Sequence, residues 1–136
     1  MFIIPNNIIP FPGFMAITLW PFIFVRKKAF SSFTRSVMNH ERIHARQQLE
    51  TLCVGAVIAS VFIAVGCGWW SLLALPLFFW LYGFEWVVLF ICLGNSHRAY
   101  RSVSFEQEAY DNDDDPSYLQ NRRPFAWLNY VIMHRD

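Results

Sequence analysis

LCVGAVIASVFIAVGCGWWSLLALPLFFWLYGFEWVVLFICLG, residues 52–94, runs for 43 positions with a single charge, Glu85, and every Lys and Arg of the chain lies outside it. A helix that crosses a bilayer needs roughly 20 apolar residues, so the run is long enough for two. Gly66-Cys67-Gly68 is the natural break between them. Trp69 and Trp70 follow directly, and amphipathic indole rings favour the membrane interface. A hairpin this apolar, buried in a soluble bundle, would need far more protein around it than 136 residues supply. The chain therefore reads as a mainly α membrane protein, a two-span helical hairpin forming one unit over residues 1–136.

Flanking charge sets the orientation. Arg26, Lys27, Lys28, Arg35, Arg42 and Arg46 precede the run, Arg98, Arg101, Arg122 and Arg123 follow it, and the loop at Gly68 has none. By the positive-inside tendency both termini are expected in the cytoplasm. The totals, 11 basic against 10 acidic residues for a net charge of +1, lack the basic excess of a nucleic-acid binder. Cys53, Cys67 and Cys92 show no Cys-x-x-Cys spacing, which leaves a thiolate metal site unsupported. Within the second span, residues 71–94, Pro76 near the start costs little or kinks the helix. Glu85 in that span is either functional or a protonated or snorkelling side chain near an interface.

Just before the run stands Asn39-His40-Glu41-Arg42-Ile43-His44-Ala45-Arg46-Gln47, with the pattern His-Glu-x-x-His. No Pro lies between Thr34 and Ala64 and the only Gly there is Gly55, so one helix over 34–66 is expected to carry the motif into the first span, capped by Ser31, Ser32 or Thr34. At about 100° per residue His40 and His44 share a face. Both imidazoles then reach one metal ion, with Glu41 beside them, able to act on a metal-bound water without ligating. Ile43 is the only strongly apolar residue between Asn39 and Leu49, which argues against a packed-core role for both histidines.

A hydrolytic zinc site keeps three protein ligands and an open position. The second span returns the chain to the side of His40 and His44. There a helix over 97–112 holds Ser104-Phe105-Glu106-Gln107-Glu108-Ala109-Tyr110, the only other polar helical segment with carboxylates on successive turns, and Pro116 follows its acidic end. At the other terminus, Pro5, Pro10, Pro12 and Pro21 argue against a spanning helix in residues 1–30. Residues 14–19 and 22–25, rich in β-branched and aromatic side chains around Trp20-Pro21, read as an extended, β-hairpin-like segment. Leu128, Val131 and Ile132 suit a short interfacial helix over 124–134.

The two polar stretches resemble the gluzincin metallopeptidases, in which a His-Glu-x-x-His helix is followed by a second helix carrying Glu-x-x-small-Asp. Glu106-x-x-Ala109 aligns with that second element. The resemblance implies Zn2+ held by His40, His44 and Glu106, with Glu41 as general base and Glu108 as an outer neighbour or alternative ligand. Where those families commonly carry an Asp that holds one metal-binding His, this chain has Tyr110, and Tyr110 itself or Asp111 stands as its substitute. The chain also looks like the membrane metallopeptidases of the beta-lactam sensor type, the membrane zinc proteases that process prenylated proteins, and short bacterial membrane proteins with Asn-His-Glu-x-x-His and Phe-Glu-x-Glu-Ala-Tyr.

These likenesses imply a zincin-like helix pair on the cytoplasmic side of a bacterial inner membrane, cleaving a membrane or membrane-proximal polypeptide. His97, Arg101 or Tyr110 is then the expected oxyanion stabiliser. Phe14, Ala16 and Thr18 are the expected substrate contacts, the extended segment taking substrate as an added strand. With one hairpin to enclose a site, a second copy or another membrane protein is an expected partner. Two other readings stand beside this one. In a carboxylate-bridged di-iron oxidoreductase, Glu41-x-x-His44 is one copy of the needed element and Glu50, Glu106 and Glu108 add carboxylates, although a second Glu-x-x-His is missing. In a non-catalytic interaction protein the site is degenerate, a reading favoured by Tyr110.

Overall fold

The computed structural model describes residues 1–9 and 14–133. The 30 residues of α1 (Arg35–Ala64) form one unbroken helix. Thr34 caps it in extended geometry, its Oγ1 accepting from the Val37 N–H at 3.3 Å, so one of the orphan donors of the first turn is satisfied. The motif and the first apolar stretch are thus a single rod, as the lack of breakers predicts. Beyond it the chain turns at Gly66 (φ 90°) and Gly68 (φ 63°), left-handed values that a side chain would resist.

The second apolar stretch departs from the span expected over 71–94. A 3-10 segment (Gly68–Ala74) comes first, and α2 (Leu77–Leu93) starts only after Pro76, bent 58° from it. Pro76 lacks an N–H and its ring clashes with the preceding turn, so it sits at the N-cap and not inside a helix. Among the described residues α1 alone is long and apolar enough to cross a membrane, and the second stretch qualifies only when its two pieces count as one span.

The helix expected over 97–112 is two helices, α3 (Ser96–Ser102) and α4 (Ser104–Asn112), parted at the buried Val103, whose ψ of 133° is extended. Next come α5 (Tyr118–Asn121) and α6 (Leu128–Met133). The tail does not simply lie on a surface. Trp127 is buried in a cluster with Phe78, Val103 and Phe105, 4.4 Å from the Phe105 ring, while Leu128 and Val131 are exposed. The Ile132 side chain and residue 134, part of the expected interfacial helix, lie outside the described residues.

The N-terminal segment is a three-stranded sheet of order β1-β3-β2, with β1 (Phe2–Asn6), β2 (Ala16–Leu19) and β3 (Phe22–Arg26). The antiparallel β2–β3 pair turns at Trp20–Pro21, the bend legible in the sequence, and β1 adds a parallel strand that was not expected. Pro10 and Pro12 lie outside the described residues. Lys27–Ser32 form a 3-10 turn. β2 packs against α1.

The tightest approach is between α1 and the 3-10 segment, where a Cβ on Gly55 would stand 2.2 Å from the Ala74 carbonyl oxygen. Backbone cannot yield there as a flexible side chain does. Gly55→Ala is therefore expected to destabilise the fold by about 1–3 kcal/mol, the usual range for overpacking, and to lower the thermal unfolding midpoint in detergent. An unchanged midpoint would contradict this contact.

Candidate metal centre

The site is built on α4, which α1 and α2 clamp at both ends. At its N-terminus the Glu85 carboxylate accepts from the Ser104 N–H at 3.0 Å and from the Ser104 hydroxyl at 2.7 Å. A negative charge there satisfies orphan donors and meets the positive end of the helix dipole. Glu85 is thus the reason the chain breaks at Val103, and the charge inside the apolar run is accounted for. At the other end, Asn39 Nδ2 donates to the carbonyls of Asn112, Asp113 and Asp115 at 3.4, 3.1 and 2.8 Å. Asn39 immediately precedes His40, so the residue that caps α4 also fixes its register against the motif.

This clamp brings Glu106 over the two histidines. His40 Nε2 and His44 Nε2 lie 3.1 Å apart, Glu106 Oε2 is 3.4 Å from the first and Glu106 Oε1 is 3.4 Å from the second. Four-coordinate ligands bound at about 2.0–2.1 Å around one ion stand about 3.3–3.4 Å from each other. One ligand atom from each of the three side chains lies within 4.8 Å of the others, so the group could hold a metal ion. All three side chains are buried, and Glu106 Oε2 has no hydrogen-bond partner. An orphaned buried carboxylate oxygen is costly, and a cation at the centre of the triangle removes that cost. Burial opposes charge on Glu106, but the His44 and His40 imidazoles outweigh it and hold its carboxyl well below the usual carboxylate range. Glu106 is therefore ionised.

The outer contacts of the histidines are not those expected. Gln47 Nε2 donates to the Phe105 carbonyl (3.0 Å) and to Glu108 Oε2 (3.1 Å), so its Oε1, 2.8 Å from His44 Nδ1, accepts. That places the imidazole proton on Nδ1 and leaves Nε2 free to ligate. His40 Nδ1 faces Asp113 Oδ2 at 3.6 Å, and Tyr110 packs its ring edgewise at 4.6 Å from that of His40. The carboxylate that faces a histidine is thus Asp113, whereas Asp111 is exposed. Asp113 lies beyond the second motif, within an acidic run that offers no spacing signal.

Glu108 is not at the metal position. It is wholly buried, and Gln47, the Tyr118 hydroxyl (2.9 Å) and Arg122 all donate to it. Arg122 also pairs with Glu50. Two of the three carboxylates counted for a di-iron cluster, Glu50 and Glu108, are thereby engaged by one guanidinium.

Glu41 lies on the wall of a cavity of about 420 Å³ that includes His40, His44 and Glu106. Thr18 Oγ1 donates to Glu41 Oε2 at 2.6 Å and stands 3.1 Å from the Glu41 carbonyl oxygen. Thr18 thus holds the carboxylate in place. Phe14 and Ala16 line the same cavity, while His97 and Arg101 are exposed and do not. Arg101 instead covers the Tyr110 ring at 4.3 Å. Tyr82 and Tyr100 are cavity residues that the sequence reading missed. Tyr82 donates to Glu106 Oε1 at 3.0 Å. Burial, then the charge of Glu106, push the Tyr100 phenol well above its ordinary value, so it keeps its proton.

No protein-family model, curated protein or solved structure matches the chain. The case for the site accordingly rests on its own geometry.

Two outcomes test the centre. Gln47→Leu removes the acceptor at His44 Nδ1 and is expected to weaken metal affinity about 10- to 100-fold, the usual cost of losing such a contact, as read by competition with a chelating dye. Imidazole protons compete with the cation. Uptake should therefore release protons, and affinity should fall as pH is lowered, which calorimetry in buffers of different ionisation heat measures.

Proposed function

We propose that the chain is an integral-membrane zinc metallopeptidase with Glu41 as general base. The observation that carries this reading is the buried His40, His44 and Glu106 triangle, with Glu41 on the same cavity wall but outside the cluster of ligand atoms. Two imidazoles and one carboxylate are a hydrolytic zinc donor set that leaves a fourth position open. Bound zinc supplies Lewis acidity toward a carbonyl and a water whose pKa is lowered to about 7.

The protein's own groups do the rest. Glu41, oriented by Thr18, accepts the proton of the attacking water and returns it to the leaving amine. Tyr82 holds Glu106, Gln47 holds His44, and Asp113 faces His40. Tyr100 is a protonated phenol on the cavity wall, suited to donate to a developing oxyanion. Ala16 lies on the free edge of β2. A polypeptide added to that edge runs beside Glu41.

Membrane insertion is supported by the apolar faces of α1 and α2, which carry exposed Val57, Val61, Phe84 and Ile91. Only 28% of the most apolar window of α1 is buried, too little for the core helix of a soluble protein. Both stretches then span a bacterial inner membrane, with the termini and the site cytoplasmic. Reporter fusions at residues 1 and 136 should both read cytoplasmic and one at Gly68 external, and termini on opposite sides would overturn the hairpin.

Purified protein should hold one zinc per chain by elemental mass spectrometry, and two irons would favour the oxidoreductase. Glu41→Gln keeps the shape but cannot take a proton. It should retain zinc and lose about 10²- to 10⁴-fold in cleavage of a fluorescein-labelled unfolded polypeptide in detergent. A variant with full zinc and undiminished cleavage would refute the role given to Glu41.

A further inference from the structure

The cavity has two unlike walls. One is β2. Arg26 N–H donates to the Met15 carbonyl at 3.1 Å, which makes Met15, Ile17 and Leu19 the residues bonded to β3 and turns the backbone groups of Ala16 and Thr18 away from it. The Thr18 carbonyl and the Trp20 N–H on that edge are taken by the Gln48 side chain, both at 2.8 Å. Ala16 is therefore where an added strand begins its ladder.

The facing wall is α2. Phe79, Tyr82, Gly83 and Trp86 line the cavity, a spacing of i, i+3, i+4 and i+7 that forms one stripe of the helix. At about 1.5 Å per residue the stripe runs about 10 Å along the axis. At its middle Gly83 leaves a notch, since a Cβ built there meets nothing within 4 Å. An extended chain directs alternate side chains to the same side, about 6.6–6.8 Å apart. Two such side chains fit the stripe, one on either side of the notch, and the wall that receives them belongs to the apolar run 52–94.

Building on the peptidase reading, we infer that the site selects an extended polypeptide with large apolar side chains at two alternating positions beside the scissile bond, both seated on the α2 stripe around Gly83. Such a segment is one drawn from, or emerging out of, the hydrocarbon of the membrane. Gly83 is then the residue that sets side-chain size. Its replacement fills the notch without touching a metal ligand, Glu41 or the β2 edge.

The test is binding, read without turnover. Fluorescent extended peptides carrying Phe, Ala or Ser at two alternating positions are titrated, by anisotropy, into the full chain in detergent, in the zinc-loaded Glu41→Gln background. The Phe peptide should bind at least about 10-fold more tightly than the Ala peptide, and Ser should be weaker still. Adding Gly83→Leu should abolish the advantage of Phe with zinc content and unfolding midpoint unchanged. Gly83→Ala, a better helix former, should reduce it partially and serves if the leucine variant does not fold. Equal affinities for the three peptides, or a folded Gly83 variant with the preference intact, overturn the inference. So does a co-purified lipid lost on Gly83→Leu with no discrimination among peptides, which assigns the notch to an acyl chain. Cleavage by wild type that ignores these side chains refutes the inference and leaves the peptidase standing. Selective binding without any cleavage supports the inference and refutes the peptidase.

Discussion

Glu108 has no solvent exposure, and a buried carboxylate must be matched or it unfolds its surroundings. Arg122 matches it and in the same gesture takes Glu50, so that α1, α4 and the segment after α5 meet at one guanidinium. Removing one partner of such a pair typically costs about 3–5 kcal/mol, because the other charge is left stranded. Phe125 N–H also donates to Glu50, at 3.1 Å, and two residues on Trp127 enters the aromatic cluster with Phe105. The ion pair thus brings in the tail that closes the core over α4. Through Gln47, which bridges Glu108 and His44, the same network reaches the metal position.

The two ends of α4 show how a short helix can be placed as accurately as a long one. Nine residues have little intrinsic helical stability in water. Here the ends are satisfied from outside, by Glu85 at the start and Asn39 at the finish. Glu106 sits on the first turn, just past the Glu85 cap. Its position over His40 and His44 is therefore set jointly by α1 and α2, and separation of those helices would open the triangle. The second apolar helix positions Glu106 as well as walling the cavity.

Several features of this arrangement were legible from residue order. The unbroken α1 follows from the lack of Pro between Thr34 and Ala64, and the bend at Trp20–Pro21 separates two strands as its residues suggest. His40, His44 and Glu106 come together as motif spacing and the likeness to gluzincins implied. Other features were not legible. The break at Val103 has no local breaker, and the carboxylate that caps the helix after it, Glu85, lies 19 residues before Ser104 in the chain. Asp113 was overlooked in favour of Asp111 because helical phase in an acidic run is decided by where α4 ends. Thr18 lines the cavity with Phe14 and Ala16, and its hydroxyl also serves Glu41 across 23 residues, a contact that no local pattern announces.

The sequence by itself determined what local chemistry determines: where helices can run without Pro, which stretches are long and apolar, and which side chains share a helix face. Those are effects of neighbours within a turn or two. The tertiary structure decided which carboxylate joins the two histidines and which is a counter-ion. Glu106 and Glu108 lie two apart on one short helix, about 200° around its axis from each other. One therefore faces His40 and His44 and the other faces Arg122. That choice depends on the rotation of α4 about its own axis, which only the contacts at its two ends can set.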